Sequence, residues 1–189
     1  MSLAETVQMG PSYFDPWDKV PRGEVPRPVM AVGDINSTAK GSGARANGGK
    51  PDFSLVDLQA LAGALARTRP DATTVLVLQH LGHFQAGHAP AHLHAASFVL
   101  GDTAWEACCR VLTYGTKKYA AWNWAKGMPW SVPLGCAVRH LLAMHRGEDT
   151  DPESGEPHAG HVMANLLMLM TFTRTYPEGN DLPPAGLLG

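Results

Sequence analysis

Cysteine is scarce in this 189-residue sequence: the three present, Cys108, Cys109 and Cys136, are odd in number, and two are adjacent. No CxxC pair occurs. The pattern argues against a disulfide framework and a cysteine zinc site, and it favours a reducing compartment. Charge is sparse too. Asp, Glu, Lys and Arg make up 17% of residues, the net charge is −2, and no long basic stripe forms. Neither nucleic acid nor a membrane surface is therefore expected as a partner. The first residues lack the basic-then-apolar pattern of a secretion signal. No apolar run approaches the ~20 residues that span a bilayer. A soluble, cytoplasmic protein is the expectation.

What is present is a chain long enough for one domain with a real core and short for two. Residues 1–52 are rich in Pro and Gly and read as an extended arm ending in a Gly-rich loop, with Tyr13, Phe14 and Trp17 placed to pin it to a surface. Residues 53–184 read as a single domain and 185–189 as a tail. From Ser54, a plausible N-cap, Leu55, Leu58, Leu61, Ala62 and Leu65 recur at helical spacing. Residues 71–101 lean to helix at first, then to a loop around Pro90, and are read as an insertion. Thr103–Tyr119 is predicted to be a helix with Trp105, Cys108, Cys109, Val111, Leu112 and Tyr114 on its apolar side. Leu134–Arg146 is another, stopped by Gly147. A last helix runs from near Pro157 to about Tyr176. It is apolar almost all round, so it is either central or shared with a second subunit. With no convincing strands, the fold class is all-α, a helical bundle.

Five polar features stand out. The stretch RGEDTDPESGEPHAGH packs Glu148, Asp149, Asp151, Glu153 and Glu156 into nine residues. It imitates a calcium loop, but Pro152 interrupts it, Gly155 comes one residue late, and no closing Glu follows. On composition it is a solvated turn between helices. His158, His161 and Asn165 follow, at about 0°, −60° and −20° around a helix, one narrow stripe. Three polar residues in register beside an acidic loop, with Arg139 and His140 on the preceding helix, weigh as much for a site as for satisfied core residues. The loop GSGARANGGK is not a Walker motif, because Ala44 stands where its first Gly belongs and Pro51 replaces the Ser or Thr. Arg45, Asn47 and Lys50 can still meet an anion there. In GTKKYAAWNWAKG, Lys117, Lys118 and Lys126 flank Tyr119, Trp122 and Trp124, an arrangement suited to phosphates and a base. The plainer reading is a helix end with lysines at its negative pole. The five histidines His80, His83, His88, His92 and His94 are irregularly spaced and are read as part of the variable insertion.

Taken in order, GARANGGKPDFSL, YGTKKYAAWNWAKGMPWSVP, Arg139–His140, GEDTDPESGEPHAGH and the Asn165 helix resemble the phage dATP/dGTP diphosphohydrolase family, relatives of the MazG-type nucleotide pyrophosphohydrolases. The resemblance covers about residues 41–66 and 103–184. It implies an all-α, Mg²⁺-dependent enzyme, with Mn²⁺ as a substitute. Such an enzyme cleaves a purine deoxynucleoside triphosphate to the monophosphate and pyrophosphate, and so adjusts the dNTP pool in the cytoplasm of an infected host. It also implies a homodimer or homotetramer. The best-known MazG pattern, E-E-x-x-E on one helix and E-x-x-D on the next, does not occur here, and the carboxylates lie in the loop between the helices.

Within that expectation, Mg²⁺ wants carboxylate oxygens. Glu148, Asp151 and Glu153 are the expected metal ligands, with His158 and His161 orienting the attacking water or completing the shell. Arg139, Lys117, Lys118, Lys50, His140 and Asn165 would contact the substrate, the cations neutralising phosphate charge. Asn123 and Trp124 would hold the sugar or base. Two alternatives stay open. An HD-type phosphohydrolase needs a His-Asp dipeptide, which is absent, and a non-catalytic nucleotide- or partner-binding helical protein would bind without turnover.

Overall fold

The computed structural model describes residues 31–68 and 71–188. The arm's aromatic residues Tyr13, Phe14 and Trp17 lie outside the described residues. The described chain is all-α. Its helices are α1 (Leu58–Thr68), α2 (Ala72–Gln85), α3 (Ala91–Leu100), α4 (Asp102–Gly115), α5 (Ser131–His145) and α6 (His158–Thr175). The one ladder among the described residues is a two-residue antiparallel pair, β1 (Ala31–Val32) with β2 (Arg45–Ala46).

Helix α6 is the axis of the bundle. Val162, Met163, Leu166, Leu169 and Phe172 are fully buried on several of its faces, and α3, α4 and α5 all pack on it. A helix apolar all round has no solvent face to spare, so the polar residues it carries are buried with it. His158 and Asn165 are accordingly buried and must find partners.

Several predicted elements shift for identifiable reasons. The cap of α1 is Asp57, whose carboxylate accepts from the backbone N–H groups of Gln59 and Ala60, and Ser54 belongs to a separate 3₁₀ turn, Phe53–Leu55. Residues beyond Pro90 form α3 and not a loop, with Pro90 immediately preceding its first residue. Leu78, Leu81 and Leu93, from α2 and α3, are fully buried in the core. Helix α5 starts three residues earlier than its periodicity predicts. The Asp181 carboxylate, fifty residues away, accepts from the Ser131 N–H and hydroxyl and caps it. Pro133 sits in the first turn, where its missing N–H costs nothing. Gly147, at φ 85°, ends α5 as expected.

The apolar side predicted for α4 is only partly right. Ala104, Ala107 and Cys108 are buried, whereas Trp105 and Cys109 are exposed. Small residues face inward because α6 approaches closely. A Cβ on Gly160 would lie 2.6 Å from the Ala107 Cβ and 2.8 Å from its backbone carbon.

Candidate active site

The end of α5, the loop 146–157 and the first turn of α6 converge. His140 lies on α5, and His158 and His161 lie one helical turn apart at the start of α6. The His140 Nδ1 stands 2.9 Å from the His158 Nδ1, and the His140 ring stacks on that of His161 with centroids 4.3 Å apart. The loop folds back on itself. The Asp151 N–H donates to the Glu156 carbonyl, the His158 N–H donates to the Asp149 carbonyl, and Thr150 bridges to Pro157. This places Asp151 against the histidines. Its Oδ1 accepts from the Glu153 and Ser154 N–H groups and the Ser154 hydroxyl. The same hydroxyl lies 2.7 Å from the His161 Nε2.

Burial, then the neighbouring His161 and His158, push the His140 imidazole down to about 3, so it is neutral near pH 7. Burial likewise lowers His161, against the opposing charge of Asp151. For Asp151, burial acts upward. The Ser154 backbone N–H, His161 and the Ser154 hydroxyl outweigh it and hold the carboxyl below its ordinary range. Neutral imidazoles beside an ionised carboxylate are in the protonation states that metal ligation requires.

His140, Asp151 and His158 each offer a donor atom within 4.8 Å of the others. The buried His158 Nε2 has no hydrogen-bond partner, its nearest acid oxygen being Glu148 Oε2 at 3.8 Å. Converging donors and an orphaned buried nitrogen fit a divalent cation. Two nitrogens and one carboxylate suit an ion that accepts imidazole as well as oxygen, such as Mn²⁺, better than they suit Mg²⁺.

The cluster opens into a cavity of about 660 Å³, within the size range of small-ligand sites. Arg45, Lys50, Lys118 and Arg139 line it, as do Tyr119, Trp122 and Trp124. Arg45 donates from Nη2 to the Asn165 Oδ1 at 2.9 Å. The guanidinium of Arg139 is held by the Asn47 side chain and the Pro51 carbonyl. Trp122 is 73% exposed and has φ 61°, the one left-handed non-glycine among the described residues. A bulky residue held in that conformation stores strain, a feature common at ligand sites.

Of the expected metal ligands, the structure gathers Asp151 into the donor cluster and leaves Glu148 at its edge, with Oε2 3.8 Å from the His158 Nε2. Glu153 pairs with Lys118, which also commits the charge of that lysine. Glu148 pairs with Arg146 at 2.7 Å. His140, expected at the substrate, joins the donor cluster instead. Lys117 is exposed, lies over the Tyr114 ring, and is not among the residues lining the cavity. Asn123 lines the cavity but is buried and bonded on both sides to the backbone of Ala44, so it holds the chain there. Asn165 is likewise committed, to Arg45 and to the His161 carbonyl. Ser154 escaped the sequence reading, although D-x-x-S is a local signature of a side chain bonding its own turn. Arg45 was visible only as a loop cation, because its partner Asn165 is 120 residues away.

A family model described as dATP/dGTP diphosphohydrolase, N-terminal, matches residues 83–182. The chain is also 31% identical over 98 residues to a protein of Salmonella phage PMBT28 named dATP/dGTP diphosphohydrolase. That alignment covers 52% of this chain and 31% of the relative, so the chain spans about a third of the phage protein. No solved structure matches. The family match takes in residues 83–101, the second half of the segment read as an insertion, together with every residue of the donor cluster.

Proposed function

The chain belongs to the dATP/dGTP diphosphohydrolase, N-terminal, family, and from that premise we propose that it hydrolyses dGTP or dATP to the monophosphate and pyrophosphate. The observation that carries this reading is the His140–Asp151–His158 donor cluster on the wall of a cavity that also presents arginines and aromatic faces. A phage dNTP-pool role, a MazG-like ancestry and assembly as a homodimer or homotetramer belong to the same proposal.

A divalent cation, Mg²⁺ or Mn²⁺, would be held by His140, Asp151 and His158. When bound, such an ion neutralises phosphate charge and lowers the pKa of water. The protein's own groups supply the rest. Arg45 and Arg139 face the triphosphate with forked guanidinium donors, pre-positioned by Asn165 and by Asn47. Lys50 adds an exposed charge at the rim. His161 is kept neutral by burial and oriented by Ser154, so it accepts a proton from the attacking water. Tyr119 and Trp122 offer ring faces to the purine.

Incubation with dGTP or dATP and Mg²⁺ or Mn²⁺, with products separated by chromatography, tests the proposal. Deoxynucleoside monophosphate and pyrophosphate are expected in equal amounts. Release of triphosphate or orthophosphate would overturn the bond assignment. Tight nucleotide binding without turnover at any metal concentration would leave a binding protein.

A further inference from the structure

A second histidine cluster lies away from the cavity, on the turn between α2 and α3. His80 and His83 lie on one face of the end of α2, His88 is in the turn, and His92 is in the first turn of α3. The chain reversal brings them together. The His80 Nδ1 lies 3.3 Å from the His92 Nδ1. The His83 ring stacks on that of His92 with centroids 4.7 Å apart. The His88 ring is 5.4 Å from that of His83 and 6.1 Å from that of His92. None of the four lines the nucleotide-sized cavity.

The other three rings gather around that of His92, and like charges so placed are costly to protonate together. The influences on His92 are burial and the three neighbouring rings, all of which favour its neutral form. Neutral imidazole is a ligand for borderline cations such as Zn²⁺, Co²⁺, Ni²⁺ and Cu²⁺, and a poor one for Mg²⁺ or Ca²⁺. Two nitrogens bound tetrahedrally at ~2.05 Å stand ~3.3 Å apart, which is the spacing of His80 and His92. The His83 and His88 rings pack against that of His92 beside this pair.

We propose that His80, His83, His88 and His92 form a site for a borderline transition-metal ion of the Zn²⁺ class, independent of the catalytic cluster. The site would clip α2 to α3 at their turn. Because α3 packs on α6, the clip would brace the helix that carries His158 and His161. This assignment does not rest on the proposed hydrolase activity.

The test is titration of the full chain with Zn²⁺ alone, in wild type, His158→Ala, and the double variant His92→Ala/His158→Ala, each checked for folding by circular dichroism. The His158→Ala protein should still bind one equivalent of Zn²⁺, and the double variant should bind it about 100-fold more weakly. A parallel measurement needs no variant: imidazole-ring nitrogen resonances of His80 and His92 should shift together on Zn²⁺ addition. Loss of all Zn²⁺ binding in His158→Ala, equal binding by the single and double variants, or unmoved His80 and His92 resonances would each overturn the assignment.

Discussion

Asp151 and Glu153 are two residues apart in the same acidic loop, yet their surroundings give them different work. Asp151 accepts three hydrogen bonds from its own turn and sits in the donor cluster with His140 and His158. Glu153 is exposed and paired with Lys118, an arrangement worth ~0–1 kcal/mol at a surface. Asp151→Asn is therefore expected to lower kcat/KM by about 10²-fold or more, because it removes the anionic donor beside two imidazoles. Glu153→Gln is expected to change it by less than about threefold. Steady-state kinetics on both variants checks the pair, and equal losses would return the glutamate to the metal shell. The sequence made some of this legible. The helical stripe of His158, His161 and Asn165 follows from periodicity alone, and so does its placement after an acidic loop. Which carboxylate turns inward does not, because that depends on the loop's hydrogen bonds and on Lys118, 35 positions away.

Among the elements, the close crossing of α4 and α6 shapes the site most directly. Gly160 lies between His158 and His161, and its missing Cβ lets the α6 backbone meet Ala107. Gly160→Ala gains helix propensity worth up to ~1 kcal/mol, but the clash falls on a backbone atom and a neighbouring Cβ, neither of which can swing away. Overpacking of this kind costs about 1–3 kcal/mol, so a net destabilisation is expected, seen as a lower Tm by about 2–4 °C per kcal/mol. Gly63 on α1 is the contrast. Nothing lies within 4 Å of a Cβ built there, so Gly63→Ala should raise stability by about 0.5–1 kcal/mol. Thermal melts of the two variants should move in opposite directions. Periodicity read the existence of α1, α4, α5 and α6 correctly. It misjudged part of the inward face of α4: Val111 and Leu112 pack on the core, but Trp105 points outward because a glycine on another helix sets the spacing. It also missed the start of α5, whose capping carboxylate comes from Asp181.

At the scale of the molecule, part of the cavity wall is residues 44–46, a segment distant in sequence from most of the lining. Residues 43–46 are held by several links: the Gly43 N–H donates to the Gly127 carbonyl, Asn123 bonds both the N–H and the carbonyl of Ala44, the Ala46 N–H donates to the Tyr119 hydroxyl, and Arg45 reaches Asn165. The Gly-rich composition correctly marked this segment as loop, but its docking partners are 73 to 120 positions away and leave no local signal. Asn123 is thus a positioning residue, tying the arginine-bearing strand to the aromatic wall. Asn123→Ala leaves the buried Ala44 N–H and carbonyl without those bonds, at about 1–3 kcal/mol for an unsatisfied buried group. It also frees Arg45 to leave the cavity. If Arg45 binds the triphosphate in ground and transition states alike, its loss raises KM more than it lowers kcat. The expected outcome is therefore a folded protein with a lower Tm, a KM for dGTP raised by about tenfold, and kcat within about threefold of wild type. Arg45→Ala should reproduce the change in KM without the full loss of stability. A merely structural role for Asn123 would lower Tm and leave the KM of the folded fraction unchanged, so kinetics measured well below the melting transition separate the two.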